Sequence, residues 1–147
     1  MGGGVRHPFG YLKLTLAEEY PRLHVVRRVG EDGNVYGGPY IPASVGRKTA
    51  SLVHKLFGVR SCKERLDGRR PRACLQHQIR RCAAPCVADI CSPERYEQAC
   101  DDARLFLEGR RSDLVETLER RMREAAEEMA YERAAVLRDQ IRAVERT

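Results

Sequence analysis

Between Arg60 and Cys91 the chain shows no sustained hydrophobic period, yet it carries the spacing Cys62-x11-Cys74-x7-Cys82-x3-Cys86. A stretch rich in Arg, Cys, Pro and Ala is not expected to build an apolar core, so something other than burial must order it. Thiolates are soft ligands, and both zinc and an iron–sulfur cluster are held by about four of them. Cys82-Ala-Ala-Pro-Cys86 is a compact ligand loop. Pro85 steers Ala84 away from helical geometry, so the two thiolates would converge from a turn. The pattern is not the paired C-x2-C of common zinc ribbons, and His77 is a possible substitute ligand. The bland alternative, four unrelated buried or free cysteines, is disfavoured because the segment lacks apolar residues to bury them with. Cys100 reads as a core residue, and Cys91 has no evident role.

The setting matters for those thiols. No continuous apolar run spans a bilayer, and Met1–Gly10 does not resemble a signal peptide. A cytoplasmic protein with no membrane partner is therefore expected, and in a reducing compartment clustered thiols hold metal more often than they pair as disulfides. The net charge of +6 is uneven, with +4 over residues 1–59, +6 over 60–82 and −4 over 83–147. The basic middle, Arg60, Lys63, Arg65, Arg69, Arg70, Arg72, Arg80 and Arg81, favours a polyanion such as DNA, while the acidic tail favours protein.

The remaining organisation follows from period and punctuation. Residues 1–59 read as a β-hairpin plus a helix. Tyr11–Leu16 alternates with Leu12, Leu14 and Leu16 on one side, Leu23–Val29 is β-like, and Asp32-Gly33 offers a tight turn into Val35 and Tyr36. Ser44 is positioned to cap a helix with apolar Val45, Leu52, Val53, Leu56 and Phe57, which Gly58 ends. Residues 60–91 form the cysteine-rich segment. Residues 92–110 read as a connecting helix, capped by Ser92 with Pro93 at its first turn. Its stripe is Tyr96, Ala99, Cys100, Ala103, Phe106 and Leu107, and Gly109 stops it.

Residues 111–147 contain neither Gly nor Pro after Ser112, a second expected cap. Propensity alone would draw one long helix. The seam Val115, Leu118, Met122, Ala125, Met129 then loses phase and resumes at Tyr131, Ala134, Leu137, Ile141, Val144, as a reversal between two antiparallel helices requires. The expected fold class is thus mainly α with a small N-terminal β-hairpin, a metal-stabilised cysteine loop, an amphipathic helix and an antiparallel helical hairpin. In so short a hairpin Met122, Met129, Tyr131, Leu137 and Ile141 are expected to be only partly buried and free to meet a partner, with Glu132, Arg138 and Asp139 setting orientation.

RPRACLQHQIRRCAAPCVADI (Arg70–Ile90) resembles the cysteine-rich segment of UvrC, the C component of the UvrABC excinuclease. YLKLTLAEEYPRL (Tyr11–Leu23) and YGGPYIPASVGRKTASLVHKLFGVRSC (Tyr36–Cys62) resemble the stretch after that family's N-terminal nuclease domain. LERRMREAAEEMAYERAAVLRDQI (Leu118–Ile141) resembles its UVR motif, a helical hairpin that docks on UvrB, the helicase-like component of the same system. The resemblance implies that Cys62, Cys74, Cys82 and Cys86 hold a [4Fe–4S] cluster, with zinc as the alternative, and that the chain contributes to excision repair of DNA. It weighs against His77, where the family commonly has tyrosine. The chain departs from the family at Gly38, where phenylalanine is usual, which bears on packing of the first module.

The family's two nuclease centres, a GIY-YIG domain and a ribonuclease-H-like carboxylate site, have no counterpart in these residues, and no catalytic constellation stands out. A fragment, a degraded paralogue or a stand-alone adaptor is expected, binding DNA weakly and without sequence preference. A metal-binding regulatory adaptor with a UVR hairpin is the competing reading, although such proteins usually show paired C-x2-C motifs. An electron-transfer protein is a third, weakened by the absence of C-x2-C-x2-C spacing.

Overall fold

A computed structural model describes residues 10–147, so the expectations for Met1–Phe9 lie outside the described residues. The chain divides into two compact units, one ending at Glu108 and the other running from Gly109 to Thr147.

The first unit opens with a three-stranded antiparallel sheet in the order β2-β1-β3, made of β1 (Gly10–Leu14), β2 (Leu23–Val26) and β3 (Val35–Tyr40). Leu12 and Leu14 are fully buried as the alternation implies, but the strand ends at Leu14, so Leu16 lies beyond it and is only half-buried. Thr15 closes the β1–β2 hairpin: its N–H donates to the Arg22 carbonyl at 3.0 Å, and its Oγ1 accepts the Arg22 N–H at 2.9 Å. The hairpin expected around Asp32-Gly33 is corrected here. A turn does form, with Gly33 at φ +78° and the Asn34 N–H donating to Asp32 Oδ1 at 3.1 Å. The strands on either side of it do not pair with each other, because both pair with β1. Lys13 on β1 holds Asp32 by an ion pair at 3.0 Å, which ties the crossing connection to the central strand.

Helix α1 (Ala43–Phe57) touches all three strands, and α3 (Pro93–Leu107) packs on α1 and β3. The cap of α1 is Pro42 with no side-chain hydrogen bond, so Ser44 lies inside the helix and does not cap it. Its buried face is Ala43, Gly46, Ala50, Val53 and Phe57, while Val45 is exposed. Small side chains at alternating spacings of three and four let α1 approach the sheet closely, a face that a search for large apolar residues does not pick out. Gly58 ends the helix at φ +76°, and a Cβ there would lie 3.0 Å from Ala83. Gly38, where the family usually has phenylalanine, sits at φ +111°, and a side chain there would meet the Tyr40 ring and the Gly10 carbonyl.

Helix α3 follows expectation except at Ala99, which is only half-buried. The Ser92 hydroxyl accepts the Arg95 N–H at 3.3 Å, Pro93 occupies the first turn, and Tyr96, Cys100, Ala103, Phe106 and Leu107 are buried. Phe106 meets Phe57 of α1 with ring centroids 5.9 Å apart.

The second unit is a helical hairpin of α4 (Arg111–Glu127) and α5 (Tyr131–Arg146). The reversal falls at the phase slip, with Met129 at φ +60°. The cap of α4 is Arg110, so Ser112 is already helical. Leu114, Leu118, Ala125, Leu137, Ile141 and Val144 form the buried seam. Among the described residues no helix is long and apolar enough to cross a membrane.

Candidate metal centre and partner surfaces

Residues 58–91 are ordered largely by backbone hydrogen bonds to distant parts of the first unit and to one another. The Leu23 N–H donates to the Arg60 carbonyl at 3.0 Å, and the Ala83 N–H donates to the Gly58 carbonyl at 2.8 Å. Within the loop, the Arg70 N–H reaches the Cys86 carbonyl and the Ala88 N–H reaches the Gly68 carbonyl, each at 2.9 Å. The expectation that this segment has nothing to bury is corrected as well: Val59, Leu66, Ala84, Pro85 and Val87 are all buried. They escaped a search for periodicity because Val59 and Leu66 stand alone and 84–87 is one short run on an irregular backbone.

Two candidate ligands, Cys82 and Cys86, are buried, Cys62 is half-buried and Cys74 is exposed. The loop between the inner pair turns at Ala84, which leaves right-handed helical geometry for φ +67°, the left-handed region and not the extended one that Pro85 favours, and is 1% exposed. Its N–H donates to Cys82 Sγ at 3.4 Å. Cys74 precedes the single-turn helix α2 (Leu75–Gln78). His77 on that turn places Nδ1 2.9 Å from the Cys82 carbonyl, so its ring is tied to the backbone of the loop.

Burial pushes the Cys82 thiol up to about 11; the Ala84 N–H works against this, and the charges of Cys74, Cys62 and Cys86 add to it. A bound metal would reverse that balance by stabilising the sulfur as a thiolate. Among the described residues no three His, Cys, Asp or Glu side chains gather tightly enough to hold a single metal ion. Tetrahedral zinc with bonds near 2.3 Å needs its sulfurs about 3.8 Å apart. A cubane sets each thiolate on a different corner and so separates them further. Four thiols within one segment are the donor chemistry a cluster takes. Cys91 and Cys100 are buried as well, and burial raises both thiols, that of Cys100 to about 12.

The basic residues divide sharply. Lys63, Arg65, Arg69, Arg72, Arg80 and Arg81 are exposed, and Arg70 pairs with Glu64. Arg60, expected on the same surface, is only 5% exposed. Its Nε donates to the Tyr20 carbonyl at 2.8 Å, and its Nη1 donates to the Glu64 and Cys62 carbonyls at 2.7 and 3.0 Å. Beside it, the buried Tyr96 hydroxyl donates to the Pro21 carbonyl and accepts the Arg60 N–H at 2.9 Å. This hub gave no signal in sequence, since one arginine in a basic run looks like its neighbours.

On the hairpin, Met129 is 74% exposed and Tyr131 67% exposed, with Glu132, Val136, Arg138 and Asp139 also at the surface and Met122 half-buried. Leu137 and Ile141, expected to be only partly buried, are each 7% exposed, because they face the seam. Their first role is to hold α4 and α5 together.

The matches to known families divide along the same two units of the chain. Residues 9–106 match the family described as UvrC/Cho excinuclease, middle domain, and residues 112–147 match the UvrB/uvrC motif. The chain belongs to the UvrC family. The UvrABC system protein C of Koribacter versatilis is 46% identical over 93% of this chain, and that of Symbiobacterium thermophilum is 45% identical over 94%. The protein of that name from Desulforudis audaxviator is 47% identical over 93%. The chain spans 22% of the length of each of these relatives. No solved structure matches it.

Proposed function

We propose that this chain is the part of a UvrC-type excinuclease that carries a [4Fe–4S] cluster and docks on UvrB during nucleotide-excision repair of DNA. The observation that carries the reading is the match of both segments, in order, along nearly the whole chain. Cys62, Cys74, Cys82 and Cys86 would hold the cluster. When bound, it would supply a rigid cross-link between parts of the loop and a one-electron redox centre. Lys63, Arg65, Arg69, Arg72, Arg80 and Arg81 would bind phosphate without reading sequence, weakly and with strong salt dependence. On the hairpin, Met129 and Tyr131 supply exposed apolar surface for a partner, flanked by Glu132, Arg138 and Asp139.

The first test is composition. Protein purified without oxygen is expected to be brown, with about four irons per chain and matching sulfide. Cys74→Ala or Cys86→Ala should abolish the colour and Cys100→Ala should keep it; zinc without sulfide would instead support the regulatory-adaptor reading. Docking is tested by capture of UvrB. Tyr131→Asp should weaken capture at least tenfold while helix content stays unchanged, whereas Leu137→Asp is expected to unfold the hairpin itself. Undiminished capture by folded Tyr131→Asp and Met129→Asp would remove the docking assignment.

A further inference from the structure

Arg60 is a buried cation with an unusual set of partners. Besides the carbonyls of Tyr20, Cys62 and Glu64, its Nη1 lies 3.5 Å from Cys62 Sγ, and its Nη2 lies 3.5 Å from Glu18 Oε2. That carboxylate is shared, since the Thr15 hydroxyl donates to the same oxygen at 2.8 Å, and its side chain is 46% exposed. A guanidinium cannot shed its proton to escape burial, so it must be neutralised where it sits. One half-solvated carboxylate does this incompletely. The other side-chain acceptor within its reach is the Cys62 sulfur.

We propose that Arg60 is a positioning residue of the cluster, fixing Cys62 at the rim of the site and tuning the cluster's reduction potential through a charge-assisted hydrogen bond to that sulfur. The inference rests on the cluster reading proposed for Cys62, Cys74, Cys82 and Cys86. The Arg60 donors point inward to three carbonyls, a carboxylate and a thiol, so phosphate binding, the ordinary use of an arginine in a basic run, is closed to it. Reduction by one electron adds negative charge to a site already ligated by thiolates. A cation donating to a ligand sulfur favours that reduced form and raises the potential. Glu18 competes for the same guanidinium and holds the potential down.

The test is a redox titration of the full chain reconstituted with iron and sulfide under nitrogen, followed by visible absorbance and electron paramagnetic resonance. Arg60→Met should shift the one-electron equilibrium about tenfold toward the oxidised form, about 59 mV lower, and should lose iron to a chelator faster. Arg60→Lys, which keeps the charge but not the fork, should shift in the same direction by less. Glu18→Gln should shift the other way. Glu18→Gln and Arg60→Lys both retain the buried cation, so they carry the test if Arg60→Met fails to fold. A cluster-bearing wild type whose Arg60→Lys and Glu18→Gln variants keep its potential would overturn the role of Arg60. A wild type that takes up no iron and sulfide would overturn the cluster reading, and this inference with it.

Discussion

In residues 10–108 the bonds that fix the chain join positions far apart in sequence. Tyr96 of α3 holds the Pro21 carbonyl and the Arg60 N–H, and Arg60 in turn gathers Tyr20, Cys62 and Glu64. In residues 109–147 the comparable long-range bond is at the exposed open end, where Arg111 Nη1 donates to the Thr147 carbonyl at 2.6 Å. A reversal at Met129 folds one amphipathic stripe onto another, and the seam consists of side chains three and four apart. The first unit is a small scaffold built through non-local contacts, the second a local structure with a tight turn. One can be broken at a single hub, whereas the other fails by losing its seam.

Removing the hub should give the largest effect. Tyr96→Ala deletes a fully buried ring and strands its two backbone partners, at a cost of about 4 kcal/mol or more. Limited proteolysis should then cut throughout residues 10–108 while amide resonances of α4 and α5 stay where they were. Tyr96→Phe keeps the ring and isolates the polar part, about 2 kcal/mol by urea denaturation.

The seam has its own counterpart. Leu118 is fully buried, and Leu118→Ala should cost about 3 kcal/mol, enough to melt so short a hairpin and leave the first unit's amide resonances unmoved. If both units lose structure together, their independence is disproved. Next in size is a gain. Met129 is a non-glycine residue in left-handed geometry at the reversal, so Met129→Gly should stabilise the hairpin by about 1 kcal/mol, read as a higher thermal midpoint of its helix signal. Ser92→Ala should weaken the first unit by about 1 kcal/mol through loss of the α3 cap.

The smallest effect expected is in pH. Burial lowers His54, outweighing its 2.6 Å contact with the Val59 carbonyl, and burial also lowers His24. A folded value below the unfolded one means that the unfolded chain binds more protons. The stabilisation is therefore complete above the ordinary histidine range and is lost as pH falls through and below it. The histidines are at positions 7, 24, 54 and 77, none in the hairpin. Between pH 7.5 and 5.5 the urea midpoint of the first unit should drop while that of the hairpin holds steady.

What the sequence by itself determined is what depends on near neighbours. Ser92-Pro93 begins α3 and its stripe is buried, because cap and period act within a few residues. Gly58 ends α1 for the same reason. The α4–α5 reversal was legible as a phase slip, since a helix can keep only one stripe on its partner. Four cysteines in an irregular stretch marked the candidate centre, while Pro85 excluded a regular helix there without announcing the left-handed Ala84.

Only the tertiary structure decided which strand is central. Asp32-Gly33 makes a turn, but a turn does not say whether its flanking strands pair with each other or both with a third. Tertiary structure also chose the close-packing face of α1, where Ala43, Gly46 and Ala50 matter for being small. It gathered Val59, Leu66 and Val87 into a core that no period announces. Above all it separated Arg60 from the arginines around it. Charge is visible in a sequence, but whether a cation faces solvent or is surrounded by carbonyls from positions 20, 62 and 64 depends on how distant segments meet, and local propensity carries no information about that.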